Sequence, residues 1–228
     1  MANPPFNLSN WGQDKLQNDP RWAYGLPPTG NANYAWIQHM IYHLAPNGKI
    51  GLVLANGALS TQTSGEGEIR RKIIEADLME GIVAMPTQLF YSVTILVTLW
   101  FICRNKKQPG KTLFIDARNM GHMVDRKHRD FTEEDIARLA DTFTAFQNGT
   151  LEDAKDFCAT VKTEDSAKQD YILTPGRYVG IEEKAEDDEP FDEKMKHLTT
   201  ELDGMFAKSH ELEEEIKKNL EGIGWKIE

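Results

Sequence analysis

Four residues near the start of the chain, Asn3-Pro4-Pro5-Phe6, bring together groups that can hold an amine. Consecutive prolines give up two backbone donors and fix φ at both positions. The first proline also drives Asn3 into an extended conformation. The product is a stiff corner with free carbonyls and one amide at its opening. An amide oxygen and a backbone carbonyl can together accept both hydrogens of one exocyclic amino group. The ring of Phe6 can stack on the base that carries it. Such a set suits methylation of the amino group of an adenine flipped out of DNA. The same tetrapeptide also describes an ordinary proline turn behind a capping residue, so the remaining chain has to decide.

Other residue sets offer less. His39 and His43 are four apart on a predicted helix, a spacing that suits metal, but no Cys or carboxylate stands nearby as a third ligand, and no metal is expected. Ser64-Gly65-Glu66-Gly67-Glu68 resembles a phosphate loop only superficially: it lacks Lys, and acids sit where an anion would bind. It reads as the start of a helix, with Glu66 and Glu68 at the positive end of the dipole. Residues 118–131 carry Arg118, Arg126, Lys127 and Arg129, with His122 and His128, interleaved with Asp125 and Asp130. They could meet DNA phosphates or form a solvated, self-paired loop.

The elements that must position the corner follow from periodicity. Residues 7–30 read as a loop holding Trp11 and Trp22, which either closes over a flipped base or is pinned by those rings to the core. Residues 33–45 read as a helix with Asn33 as cap and Ile37, Met40, Ile41 and Leu44 on one stripe. Lys49–Ala55 and residues 81–85 read as buried strands. A helix runs from Glu66 to about Ala76, with Ile69, Ile73 and Ile74 inward. Residues 93–103 and 111–117 read as strands close enough to pair antiparallel. Thr132 caps a helix over 133–146 whose buried face is Ile136, Leu139, Ala140 and Phe143. Residues 150–170 look polar and weakly helical, and 171–180 look like an extended docking segment. Near the end, Phe191, Met195, Leu198, Leu202, Met205, Ser209, Leu212 and Ile216 recur four and three apart, a coiled-coil rhythm that calls for a partner helix. The expected class is α/β: a partial Rossmann-like sheet over residues 1–150, a docking segment and acidic linker over 151–189, and a helical tail over 190–228.

Composition narrows the setting. The chain has 228 residues, 40% of them hydrophobic, and a formal charge of −10. Residues 1–150 carry 15 basic and 14 acidic residues; residues 151–228 carry 11 and 22. The acidic tail is a poor DNA contact, so a basic partner is expected to neutralise most of the phosphates. No apolar run is long enough to span a membrane, and there is no signal peptide. Cys103 and Cys158 are far apart in sequence and suit a reducing cytoplasm.

Taken together, the segments resemble the C-terminal half of the modification (methyltransferase) subunit of type I restriction–modification systems. The resemblance is carried by Asn3-Pro4-Pro5-Phe6, by 31–57, 66–91 and 113–126, and by YILTPGRYVG at 171–180. It implies adenine-N6 methylation of DNA with S-adenosylmethionine. It also implies a site chosen by a specificity subunit, a second modification subunit, and restriction subunits as further partners. It places catalysis on residues 3–6. Asn3 Oδ1 and the Pro4 carbonyl would accept the N6 hydrogens, Phe6 would stack on the adenine, and Pro5 would hold the turn. Transfer would be an in-line displacement aided by orientation and by preplaced acceptors.

The resemblance also implies a Gly-rich strand–loop and an acidic ribose contact ahead of the corner, and no residues here carry them. The expectation is therefore a truncated chain that alone binds no cofactor and methylates nothing, with an unpaired sheet edge. Two alternatives stand beside it: a non-catalytic fragment that holds the specificity subunit, and an amino- or amide-group methyltransferase of another substrate class. The heptad tail and residues 171–180 argue against the latter.

Overall fold

Alternating apolar residues in short runs and 3.6-residue stripes between them build a five-stranded mixed sheet in the order β1-β3-β2-β4-β7. The structure, a computed structural model, describes residues 1–90, 95–180, 191–222 and 224–225. Its elements are α1 (Asn33–Tyr42), β1 (Lys49–Ala55), α2 (Glu66–Glu75), β2 (Met79–Ala84), β3 (Val97–Cys103), β4 (Lys111–Asp116), β5 (His122–Met123), β6 (Arg129–Asp130), α3 (Glu133–Asn148), β7 (Cys158–Lys162), α4 (Thr163–Ala167) and α5 (Phe191–Gly222). Two compact units result, Met1–Glu182 and Glu183–Glu228. The expected start of a strand at Val93 and most of the acidic stretch after Ile181 lie outside the described residues.

One face of the sheet is sealed. Ile37 and Ile41 of α1 and Ile69, Ile73 and Ile74 of α2 close over Leu52, Leu54, Ile82, Trp100, Ile102 and Phe114. Trp100 is fully buried, stands edge-on to Tyr34 at 6.4 Å, and donates its indole N–H to Thr98. The other face is covered by α3 through Phe143 and Phe146. Toward β1 and β3 that cover thins, and Val53, Leu99 and Phe101 stay half-buried.

Several expectations are corrected. β3 does not pair with β4. It lies antiparallel between β1 and β2, while β4 runs parallel to β2. The physical reason is polarity: β3 is apolar on both faces and takes an interior position, and Asp77 steers the connection away. Its carboxylate grips Lys106 Nζ at 2.6 Å and the Gly110 amide at 3.0 Å. In α3, Ile136 and Ala140 are exposed rather than buried, because the helix's first turns overhang the thinly covered part of the sheet. Residues 150–170 contain β7, an edge strand on β4. Only five residues of mixed polarity mark it. The segment 171–180 docks on the chain's own core: Leu173 is buried and Tyr178 stacks on Phe114 at 4.1 Å. Asn33 is the first residue of α1, not its cap.

Thr132 does cap α3, in a reciprocal capping box with Asp135. Within the second unit, α5 is one 32-residue helix whose apolar seam, including Met195, Leu198, Leu202, Leu212 and Ile216, is exposed. Among the described residues no helix is long and apolar enough to cross a membrane.

Candidate active site

The corner at residues 3–6 is delivered by a parallel bridge. Ala2 donates its amide to Gly51 O and accepts from the Val53 amide, both at 3.0 Å, so the chain enters the corner alongside β1. The direction of the strands then fixes the neighbourhood. Ala2, β1, β2 and β4 all run the same way, since β3 is antiparallel to both β1 and β2. Their C-terminal ends therefore share one edge of the sheet. The corner, residues 56–65, 85–90 and 117–131 all follow those ends. In open α/β sheets this edge is where ligands sit.

Asn3 and Pro5 are exposed, and Pro4 and Phe6 are half-buried. Among the described residues no hydrogen bond ends on the Asn3 side chain or on the Pro4 carbonyl. Asn3 borders an apolar hollow of about 300 Å³ lined by Ala2, Val53, Leu99 and Phe101. Phe6 meets Phe90 edge-to-face, with ring centroids 6.4 Å apart. Two acceptors thus stand at the surface beside an aromatic wall.

Sequence reasoning missed what holds the corner in place. Asn7, in the left-handed region at φ 52°, exchanges two hydrogen bonds with Asn33. The Asn7 amide donates to Asn33 Oδ1 at 3.1 Å, and Asn33 Nδ2 donates to Asn7 Oδ1 at 2.9 Å. Asn tolerates that backbone region better than most residues. The pair ties the residue after Phe6 to the buried start of α1. Phe90 was also missed, because nothing in its neighbourhood of sequence signals a partner 84 positions away.

Most of the other sequence candidates make contacts within the chain itself. His39 and His43 rings lie 4.4 Å apart, and His39 Nδ1 sits 2.9 Å from Arg21. Burial, the neighbouring His43 and Arg21 all push His39 below its usual range. Among the described residues no group of three or more His, Cys, Asp or Glu is placed to hold a metal. In the basic segment, Arg118 is held by Asp116 at 2.5 Å, and Arg129 donates to the Met120 carbonyl. His128 meets Asp125 at 2.5 Å. Trp11 and Trp22 pack edge-to-face at 5.6 Å and donate their indole N–H groups to Pro28 O and Leu16 O.

Of two acidic side chains near this edge, Asp116 is engaged through both oxygens and Glu66 through one. Asp116, at the end of β4, is held by Arg118. Glu66, at the start of α2, is buried and accepts from Thr61 Oγ1 at 2.8 Å, and burial raises its pKa.

The family described as N-6 DNA Methylase matches residues 1–187. The chain is 57% identical over 226 residues to the type I restriction enzyme HindI methylase subunit of Haemophilus influenzae, covering 99% of this chain and 51% of that protein. It is 46% identical over 237 residues to the MjaIX methylase subunit of Methanocaldococcus jannaschii, covering 99% and 42% respectively. The crystal structure of a type I restriction-modification methyltransferase subunit from Streptococcus thermophilus superposes with a TM-score of 0.69 at 26% identity, over 77% of this chain and 36% of that one. The EcoKI M protein shares the fold, with a TM-score of 0.56 at 17% identity, over 94% of this chain and 49% of that one. The chain thus spans about half the length of the relatives it matches. It belongs to the N-6 DNA methylase family, among the methylase subunits of type I restriction enzymes.

Proposed function

We propose that this chain supplies the amine-holding half of a site-specific DNA adenine-N6 methyltransferase in a type I restriction–modification system. The observation that carries the reading is the pair of unengaged acceptors at an exposed proline corner. Asn3 Oδ1 and the Pro4 carbonyl stand at the ligand edge of the sheet, beside Phe6 and Phe90. In this reading Asn3 and Pro4 accept the two N6 hydrogens of an adenine swung out of the duplex. That fixes the direction of the nitrogen lone pair and receives the positive charge that develops on nitrogen. Phe6 stacks on the base, Phe90 braces Phe6, and Pro5 keeps the corner rigid. The methyl donor, S-adenosylmethionine by family, is held by residues outside those described here, so the chain alone binds no cofactor and transfers nothing.

The exposed seam of α5 supports the partner side of the proposal. A narrow apolar stripe on a charged helix buries itself against another helix. The specificity subunit is the proposed occupant, with a second modification subunit, restriction subunits and DNA completing the assembly in the cytoplasm. The same seam favours a second reading, a fragment that holds the specificity subunit without catalysing.

Asn3→Ala in a complex reconstituted with the missing half and the specificity subunit separates the two. Methylation should fall at least about a hundredfold, the scale of losing one preplaced hydrogen-bonding group, while subunits still co-elute. Unchanged methylation would reject the role given to Asn3. A wild-type reconstituted complex that assembles but never methylates would favour the second reading.

A further inference from the structure

The β5–β6 hairpin follows the C-terminal end of β4, at the same edge of the sheet as the corner, and its charges are not all spent alike. Asp125 is used by the turn. Its Oδ1 accepts from the Lys127 and His128 amides at 2.6 and 2.9 Å, and its Oδ2 meets His128 Nδ1 at 2.5 Å. His128, then the Lys127 amide, hold the Asp125 carboxyl below its usual range. Arg118 is taken by Asp116, and Arg129 by the Met120 and Gly121 carbonyls. Arg126 and Lys127, at the tip, are exposed, and among the described residues neither side chain has a hydrogen bond or an ion pair. The nearby acids Asp130, Glu133 and Glu134 lie at the base of the hairpin and in the first turn of α3.

The hairpin is fastened to the corner's own aromatic wall. The Arg129 amide donates to Gln88 O at 2.9 Å, and two residues past Gln88 stands Phe90, the ring that meets Phe6. At no more than about 3.6 Å per residue, Arg126 lies within about 11 Å of Arg129. Chain lengths alone therefore put the tip within roughly one turn of duplex, about 34 Å, of the Phe6 ring. On the DNA reading proposed above, we infer that the β5–β6 tip grips the DNA backbone beside the target adenine, with Arg126 and Lys127 each neutralising one phosphate. A cation already paired must give up its carboxylate to take a phosphate; these two give up only water. The turn that Asp125 closes holds both at a fixed place relative to the corner, and phosphate contacts set the register of a protein on its duplex. The grip thus fixes which nucleotide faces Asn3.

The test uses the complex reconstituted with the missing half and the specificity subunit. The probe is a fluorescein-labelled duplex of about three helical turns, followed by anisotropy at several salt concentrations. Arg126→Gln with Lys127→Gln should reduce the slope of log affinity against log salt by about 1.8, roughly 0.9 for each phosphate. The melting temperature and co-elution should be unchanged, since neither side chain has a partner within the chain. Arg126→Lys with Lys127→Arg keeps the charge and should keep the slope. Lys107→Gln with Lys111→Gln removes the same charge where the chain enters β4, at the opposite edge, and should also keep it. An unchanged slope in the first variant, or an equal loss in the Lys107 and Lys111 variant, would overturn the inference. Loss of co-elution with the specificity subunit in place of the slope change would reassign the tip to protein docking. A wild-type complex that binds no duplex would remove the DNA reading as well. One that binds and methylates with an indifferent tip would remove the tip alone.

Discussion

Asn3 and Glu66 show how the same chemical argument sorts a site from a scaffold. Asn3 is polar, exposed and unpaired, which costs nothing in water and leaves its oxygen available. Glu66 is polar and buried, and its Oε1 has no partner although Oε2 accepts from Thr61. Arg70, also buried, donates instead to Thr61 O at 2.6 Å and Tyr171 O at 2.7 Å. Burial raises the Glu66 pKa above its unfolded value. The folded state then holds a proton that the unfolded state has lost, so stability falls as pH rises from the ordinary carboxylate range through the raised pKa. Glu66→Gln should flatten that fall and raise the melting temperature at neutral pH relative to wild type. A pH scan of thermal unfolding with both proteins checks it, and parallel curves would show that the carboxyl is not the source. The proline corner was legible in the sequence because rigid backbone and acceptor type are local properties. The Asn7–Asn33 pair and Phe90 were not, because contacts 26 and 84 residues apart leave no local trace.

At the scale of elements, periodicity located α1, α2, β1 and α3, although it misassigned the α1 cap and half of the α3 apolar face. It failed where position in the sheet, rather than local pattern, decides. β7 is a short edge strand whose polar residues face water, so only its partner β4 identifies it. The pairing of β3 could not be read from its proximity in sequence to β4, since a buried strand seeks two neighbours. Termini remain good experimental handles. Thr132→Ala removes the bond from the Asp135 amide to Thr132 Oγ1 and leaves the Thr132 amide on the Asp135 carboxylate; it should cost about 1 kcal/mol, measurable by urea unfolding. Gly121 sits at φ 78°, and a Cβ there would lie 2.6 Å from the Asp130 carbonyl oxygen. Gly121→Ala should therefore break the β5–β6 pairing, at a cost of about 1–3 kcal/mol. Loss of amide protection at Val124, whose N–H donates across the hairpin to His128 O, would report it.

Across the whole molecule, charge and apolar surface are segregated. Of the −10 total, residues 151–228 contribute 11 basic and 22 acidic side chains, while residues 1–150 are nearly balanced. The α5 seam lies in the acidic portion, which favours a basic helical partner over a second copy of itself. Leu202→Asp should abolish co-elution with the specificity subunit. The unfolding free energy of the first unit should stay within the scatter of surface substitutions, about 0.5 kcal/mol. Intact co-elution would place the contact elsewhere.

β3 comes after β1 and β2 in the chain but lies between them in the sheet. During synthesis, then, two apolar ribbons leave the ribosome before the one that bridges them exists. At about 5–20 residues per second, the gap from Ala84 to Cys103 lasts on the order of a second. Any chaperone that attends this protein has its substrate in that interval, and a nascent chain arrested before residue 97 would be the species it holds.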